Sequence, residues 1–179
     1  MNVINRALEV ASIAHEHQYR KGTTIPYITH PVAVGMLLLK AGYGDEIVAA
    51  GILHDTLEDT DITLAKLESQ FGKEIANIVI GCSEPNKSLP WKERKEHTIY
   101  FLKTAPMEVR AVACADKLHN VRSIINDLEL EGETVWKRFN ANKENQAWYY
   151  HNLLESIGYR TTIPLLNDLQ EAVYQLFPR

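Results

Sequence analysis

The sequence Ala49-Ala50-Gly51-Ile52-Leu53-His54-Asp55-Thr56-Leu57-Glu58-Asp59-Thr60 sets an apolar, helix-forming run directly before a histidine, an aspartate and two further acidic residues. In a helix, residues four apart share a face, so His54 would lie with Glu58 and Asp55 with Asp59. Three carboxylates and an imidazole at the end of a buried helix would repel one another and would be costly to remove from water. Because a bound cation relieves both costs, we predict a metal site here rather than a solvated helix end.

Helical periodicity continues along nearly the whole chain of 179 residues, and no alternating strand pattern of any length is present. The clearest apolar stripe follows Pro106 and consists of Cys114, Leu118, Val121, Ile125 and Leu128. Asn2 is expected to cap a first helix that runs to His17, and Asp45 to cap the helix that carries the acidic stretch. Segments 134–139, 142–157 and 163–177 are also amphipathic. We therefore expect an all-α fold, a single-domain helical bundle over residues 1–179 with a C-terminal helix at about 163–177.

The composition is that of an ordinary globular protein, with 45% hydrophobic and 23% charged residues. A formal net charge of −4 would not by itself attract nucleic acid or an anionic membrane, so we expect neither as a partner. The N-terminus lacks the apolar core of a signal peptide, and no apolar run approaches the ~20 residues that span a bilayer. Cys82 and Cys114 are not spaced as metal ligands, which favours reduced thiols and a cytoplasmic location.

Two further segments offer metal ligands. His30 precedes Pro31 at a predicted helix start, and Asp116 lies among small apolar residues, where a carboxylate is costly unless it is paired or bound to metal. The neighbouring Lys117 is judged to be in the wrong phase for a salt bridge with Asp116. With His54 and Asp55, these side chains supply two imidazoles and two carboxylates, a set that suits Mn²⁺, Zn²⁺ or ferrous iron. The spacing does not choose among these metals.

The combination of His30, His54-Asp55 and Asp116 resembles the ligand pattern of the HD-domain metal-dependent phosphohydrolases. The segments Arg20–Pro31 (RKGTTIPYITHP), Gly51–Thr60 and Ala115–Ser123 are similar to the hydrolase domain of the RelA/SpoT alarmone enzymes, above all to the small alarmone hydrolases of the Mesh1 type. The resemblance covers about residues 5–158. It implies Mn²⁺-dependent hydrolysis of the 3′-pyrophosphate of (p)ppGpp, a small-molecule nucleotide, to GDP or GTP and pyrophosphate. It leaves a homodimer open.

The resemblance also implies roles for individual residues. The metal ligands would be His30, His54, Asp55 and Asp116. The acidic pair that positions and deprotonates the attacking water would be Glu58 and Asp59. The substrate contacts would be Arg20 and Lys21 at the base, Asn120 at the ribose, Ser123 where many relatives have threonine, and Lys143 near the 5′-phosphates.

One departure stands out, because Trp91 falls where metazoan relatives place a phosphate-binding lysine, with Lys92 or Arg94 as candidate substitutes. The main alternative is therefore an HD phosphohydrolase for another nucleotide, such as an NADPH 2′-phosphatase. A di-iron oxygenase would need further histidine ligands from His15, His17 or His119. A non-catalytic nucleotide-binding regulator is disfavoured, since all the ligands and both acidic residues are present.

Overall fold

The computed structural model describes residues 2–84 and 87–178, and these are helical almost throughout. The helices are α1 (Val3–Ala14), α2 (Thr29–Lys40), α3 (Asp45–Leu53), α4 (Thr56–Asp59), α5 (Leu64–Cys82), α6 (Trp91–Leu102), α7 (Met107–Glu131), a 3₁₀ helix (Gly132–Arg138), α8 (Lys143–Ile157) and α9 (Leu166–Leu176). The described residues form no β-strand, and an isolated bridge pairs Tyr19 with Pro26. The predicted all-α fold is confirmed. No helix in these residues has the length and apolarity needed to cross a bilayer.

The helix ends follow capping chemistry, with two corrections to the predicted boundaries. Asn2 caps α1 as expected, since its side chain accepts a hydrogen bond from the backbone N–H of Asn5 at 2.9 Å. The helix ends at Ala14, before the predicted His17. Asp45 is the first residue of α3 rather than its cap, which is Gly44. There its carboxylate favours the helix through the positive end of the dipole instead of through a capping bond.

The segment 134–139, expected to be an ordinary amphipathic helix, lies largely in the 3₁₀ helix. Gly132, whose φ is 65°, ends α7 in a conformation that only glycine adopts at low cost. The chain after Gly132 therefore restarts in a new direction. This turn brings Arg138 back against the loop that contains Gly22, where a Cβ atom would lie 2.7 Å from Arg138 Cδ.

Helix α3 forms the centre of the bundle, buried from Val48 to Leu53 and packed against α1, α2, α5 and α7. Its contact with α2 depends on two glycines. A Cβ atom on Gly51 would lie 2.3 Å from Leu38 Cδ1, and one on Gly35 would lie 2.6 Å from Ile52 Cγ1. The two helices therefore approach more closely than any larger residues would allow. This close crossing sets the position of the chain where α3 ends.

Helix α7 crosses the same core with a stripe that includes Cys114, Leu118 and Val121, all fully buried as predicted from their spacing. Helix α5 is kinked at Gly72, whose φ is 82°. The second half of α5 then leads Ser83 and Glu84 towards the end of α3. Three separate parts of the chain therefore meet at the point where His54 and Asp55 follow α3.

Candidate metal centre and adjoining cleft

Four side chains from three parts of the chain converge at the end of α3. His54 and Asp55 form a turn between α3 and α4, rather than continuing one helix as the sequence suggested. His54 Nε2 lies 3.0 Å from Asp55 Oδ2 and 3.9 Å from Asp116 Oδ1. His30 Nε2 lies 3.2 Å from Asp116 Oδ1 and 3.6 Å from Asp55 Oδ2. Both imidazoles are almost fully buried.

These separations fit donor atoms that share one ion. Two atoms about 2.1 Å from a metal lie about 3.0 Å apart at a right angle and about 3.4 Å apart at a tetrahedral angle. The donor atoms of His30, His54 and Asp116 all lie within 4.8 Å of one another. This cluster of three therefore matches the size of a single divalent cation. Asp55, the fourth predicted ligand, lies outside it, although its Oδ2 is 3.0 Å and 3.6 Å from the two imidazoles.

The hydrogen bonding of His54 supports the same reading. His54 Nδ1 is 2.7 Å from the carbonyl oxygen of Gly51, and because a carbonyl only accepts, Nδ1 carries the proton. In the neutral ring Nε2 then carries a free lone pair that can bind a metal. This atom is buried and has no hydrogen-bond partner among the described residues. A lone pair aimed at carboxylate oxygens is unfavourable by itself and becomes favourable when a cation lies between them.

His30 is held by a residue whose role the sequence left open. His30 Nδ1 and His119 Nδ1 are 2.8 Å apart, so one ring must donate to the other. If His30 Nε2 binds metal, then His30 Nδ1 carries the proton and His119 Nδ1 accepts it. Burial, with the positive charges of His30 and Arg20, lowers the pKa of His119 to about 4, which keeps this ring neutral and able to accept.

Asp55 and Asp116 each have a partner that the sequence did not predict. The Tyr27 hydroxyl donates to Asp55 Oδ2 at 2.6 Å, and burial next to this carboxylate raises the pKa of Tyr27 far above its usual range. Lys117 Nζ lies 2.7 Å from Asp116 Oδ2, so the judgement that Lys117 was out of phase is wrong. Adjacent residues point in different directions from a helix, but a lysine side chain is long enough to fold back on its neighbour.

Charge pairing dominates the titration of the cluster. Burial disfavours ionised Asp116, but Lys117, His30 and His54 outweigh it and hold the pKa of this carboxyl well below its usual range. Asp55 behaves in the same way through its contact with His54. Burial opposes charging of His54, yet the nearby Asp55 and Asp116 raise the pKa of His54 to about 9. The two carboxylates are thus ionised and attract a positive charge to the centre, either a proton or a metal ion.

The predicted catalytic pair lies beside this cluster in α4. Glu58 Oε2 accepts a hydrogen bond from the backbone N–H of Glu84 at 3.1 Å, and burial raises the pKa of Glu58. Lys87 Nζ lies 2.6 Å from Asp59 Oδ1 and 3.5 Å from Glu58 Oε1. Lys87 was missed because it lies in the loop between α5 and α6, where no periodic pattern marks it. The pair is therefore held next to the centre but oriented by groups outside it.

A cleft of ≈ 320 Å³ lies along α7 beside the centre, and its lining includes Tyr27 and Asn120, which bond to Asp55 and Asp116. Four of the predicted substrate contacts line it: Arg20, Lys21, Asn120 and Ser123. Arg20 Nη2 donates to Asn120 Oδ1 at 2.9 Å, and Asn120 Nδ2 donates to Asp116 Oδ1 at 2.5 Å. This chain of hydrogen bonds connects the cleft to a predicted metal ligand. The positive charges of Arg20, Lys21 and Arg138 in this cleft, next to a cation site, fit an elongated phosphorylated ligand.

Lys143 is the one predicted substrate contact that does not line this cleft. Its Nζ lies 3.0 Å from Glu133 Oε1 and above the ring of Trp136. Its proposed contact with 5′-phosphates stays a prediction. Trp91, at the position of the missing lysine, packs against Trp148 and Tyr149.

The candidate substitutes for that lysine are engaged elsewhere. Arg94 pairs with Glu84, and Lys92 Nζ lies 5.6 Å from the centre of the Trp148 ring. Glu84 also borders a second cavity of ≈ 200 Å³, which reaches His54 and Asp116 from the side of α5 and α6. This second cavity therefore reaches the centre directly, whereas the cleft along α7 adjoins it.

Comparisons with known proteins agree with this architecture. Residues 7–147 match the HD domain family. The chain is 38% identical over 127 residues to the guanosine-3′,5′-bis(diphosphate) 3′-pyrophosphohydrolase MESH1 of Danio rerio, an alignment that covers 68% of this chain and 69% of that protein. It is 38% identical over 128 residues to a probable guanosine-3′,5′-bis(diphosphate) 3′-pyrophosphohydrolase of Synechocystis sp., covering 68% of this chain but only 17% of that longer protein.

A solved structure gives the same result in three dimensions. A metazoan ortholog of SpoT, described as hydrolysing ppGpp, superposes with a TM-score of 0.80 and 25% identity, covering 98% of this chain and 95% of that one. The resemblance to the hydrolase domains of the RelA/SpoT enzymes is therefore confirmed. With a family match that spans most of the helical core, this chain belongs to the HD-domain family.

Proposed function

We propose that this chain hydrolyses the 3′-pyrophosphate of (p)ppGpp, giving GDP or GTP and pyrophosphate, as a single HD domain over residues 1–179. The convergence of His30, His54, Asp55 and Asp116 on one ion-sized space, beside a cleft walled by Arg20 and Asn120, carries the proposal. The names of the relatives from Danio rerio and Synechocystis supply the reaction. Mn²⁺ is the expected ion, since it accepts mixed imidazole and carboxylate ligands.

The metal would be held by the two imidazole Nε2 atoms with Asp55 Oδ2 and Asp116 Oδ1. When bound, it would lower the pKa of a coordinated water and offset the charge on the phosphoryl oxygens. The protein fixes the geometry beforehand, because the Gly51 carbonyl orients His54 and the Tyr27 hydroxyl orients Asp55. The ligand set therefore needs little rearrangement on binding.

Glu58 would accept the proton of the attacking water. Burial raises the pKa of this carboxyl, which makes it a better base than an exposed glutamate. Lys87 holds Asp59 in place and keeps positive charge near the acidic pair. The water oxygen attacks the phosphorus next to the 3′-oxygen, the P–O3′ bond breaks, and the 3′-oxygen takes a proton as pyrophosphate leaves.

Arg20 and Lys21 would hold the nucleoside in the cleft. The guanidinium of Arg20 is planar and can stack on a purine ring, while its Nη2 remains bonded to Asn120. Asn120 would then face the ribose, between the base and the metal. Binding of the base and position of the reacting phosphate are coupled through these two side chains.

The test is product identification with ppGpp, NADPH and GTP as separate substrates in the presence of Mn²⁺. We expect pyrophosphate from ppGpp and no comparable turnover of the other two. Release of inorganic phosphate from NADPH without cleavage of ppGpp would replace this proposal with the 2′-phosphatase. Glu58→Gln should keep metal affinity but lose activity by about 10²–10⁴-fold, the usual contribution of a general base. Glu9→Gln, an equal change at an exposed position, should be silent.

Two further proposals concern the location of the protein in the cell and its assembly. A cytoplasmic location is supported by the two unpaired thiols, Cys82 and Cys114, and would be tested by fractionation. A homodimer is tested by analytical ultracentrifugation of the metal-loaded protein.

A further inference from the structure

Asp127 lies at the end of the cleft away from the metal centre, and no role has been assigned to it so far. Its carboxylate lines the cleft and is 21% exposed. Oδ2 accepts a hydrogen bond from Arg138 Nη1 at 2.9 Å. Among the described residues Oδ1 makes no hydrogen bond, so this oxygen is available to a ligand in the cleft.

The position of Asp127 along α7 matches the far end of a bound nucleoside. Asp116, Asn120, Ser123 and Asp127 follow one another at spacings of four, three and four, so they share one face of the helix. Eleven residues at 1.5 Å each separate the first from the last by about 16 Å along the axis. Helical side chains lean towards the N-terminus at both positions, so the two carboxylates keep about this separation. A phosphate at Asp116 and a ribose at Asn120 leave the base facing Asp127.

The charge at this end of the cleft favours a ligand that donates hydrogen bonds. Arg138 pairs with both Asp127 and Glu131, so one positive charge is set against two negative charges. The carboxylate is fixed by this contact and therefore loses little freedom when it binds a ligand. A purine that presents N–H groups gains from this corner, whereas one that presents a lone pair is repelled.

We propose that Asp127 determines base specificity, by accepting hydrogen bonds from the N1–H and N2–H groups of guanine. The inference rests on the proposed function, since it assumes a nucleotide whose phosphate lies at the metal centre. Adenine presents a ring-nitrogen acceptor in place of N1–H and has no amino group at C2, so its nucleotides would be disfavoured. Hypoxanthine retains N1–H but lacks the amino group at C2. Comparing guanine with hypoxanthine therefore measures the hydrogen bond from N2–H alone.

The experiment measures binding and turnover with guanine and hypoxanthine ligands. For the wild-type protein with Mn²⁺, GDP should bind about 10–100-fold more tightly than IDP, the range expected for one hydrogen bond to a charged acceptor. The kcat/KM ratio of ppGpp to its inosine analogue should show the same preference, mainly through KM. Asp127→Asn preserves the size of the side chain and an acceptor for Arg138, and should reduce the preference to about threefold or less.

Glu131→Gln is the matched control, because it removes the same charge from the other partner of Arg138 and does not line the cleft. This variant should keep the wild-type preference. Equal binding of GDP and IDP by the wild-type protein, or an unchanged preference in Asp127→Asn, would overturn the inference. If GDP is preferred through Asp127 and yet ppGpp is not hydrolysed, the base specificity stands and the proposed reaction fails.

Discussion

Replacing His119 with phenylalanine tests whether this ring positions a metal ligand. The substitution removes the acceptor 2.8 Å from His30 Nδ1 and leaves a buried N–H without a partner. An unsatisfied buried donor costs about 1–3 kcal/mol, and loss of a residue that orients a ligand typically lowers metal affinity by about 10–100-fold, which is the same energy. We therefore expect the Kd for Mn²⁺ to rise by about 10–100-fold.

Isothermal titration calorimetry of the metal-free protein provides the measurement without reference to turnover. His119→Gln offers a side-chain oxygen as an alternative acceptor and should recover much of the lost affinity. A control at the exposed His17, changed to glutamine, should bind Mn²⁺ as the wild type does. If His119→Phe bound Mn²⁺ with a Kd within a factor of two of the wild type, the assigned tautomer of His30 would be wrong.

Three further outcomes follow from the same geometry. Asp116→Ala should abolish metal binding and also destabilise the metal-free protein by about 1–3 kcal/mol, because the half-buried Lys117 ammonium loses its partner. Denaturant melts with EDTA measure this, and an unchanged midpoint would contradict it. The pKa of His54 is raised from 6.5 to about 9 by its carboxylate neighbours, so its contribution to stability is complete below pH 6.5 and is lost as the pH rises through 9. The melting temperature in EDTA should therefore fall between pH 6.5 and 9, and saturating Mn²⁺ should reduce that fall by replacing the proton; a rising curve in EDTA would refute the pairing. Burial raises the pKa of Cys114 to about 12, so iodoacetamide at pH 8 should label this thiol only after unfolding, as peptide mass spectrometry would show.

The helices were predictable because their signal is local and repeated. The stripe of Cys114, Leu118 and Val121 marks the buried face of α7 whatever its neighbours are, and the glycine at 72 marks the break in α5. The break between α3 and α4 was not predictable by the same means. Its residues, His54 and Asp55, have near-helical backbone angles, so only the hydrogen-bonding pattern separates the two helices.

In the candidate site, too, some residues could be predicted from the sequence and others could not. The four predicted ligand residues, which the fold brings together, could be singled out because their types and motifs themselves carry information. Their partners Tyr27 and His119 could not, because they are selected by proximity in the folded chain and not by spacing. The same holds for Lys87, the partner of Asp59. Tyr27 and His119 lie inside segments already recognised, so proximity to a motif was a usable signal for them. Lys87 offered none.

Gly51 joins the packing of the bundle to the chemistry at its centre. The absence of a side chain there lets Leu38 approach, and the carbonyl oxygen of the same residue fixes the proton on His54. Any methyl group added at this position would have to displace Leu38 or shift α3, and a shift would carry the carbonyl away from the imidazole. A steric fault in the helix crossing would thus be observed first as weaker metal retention, in a protein whose helical content is unchanged.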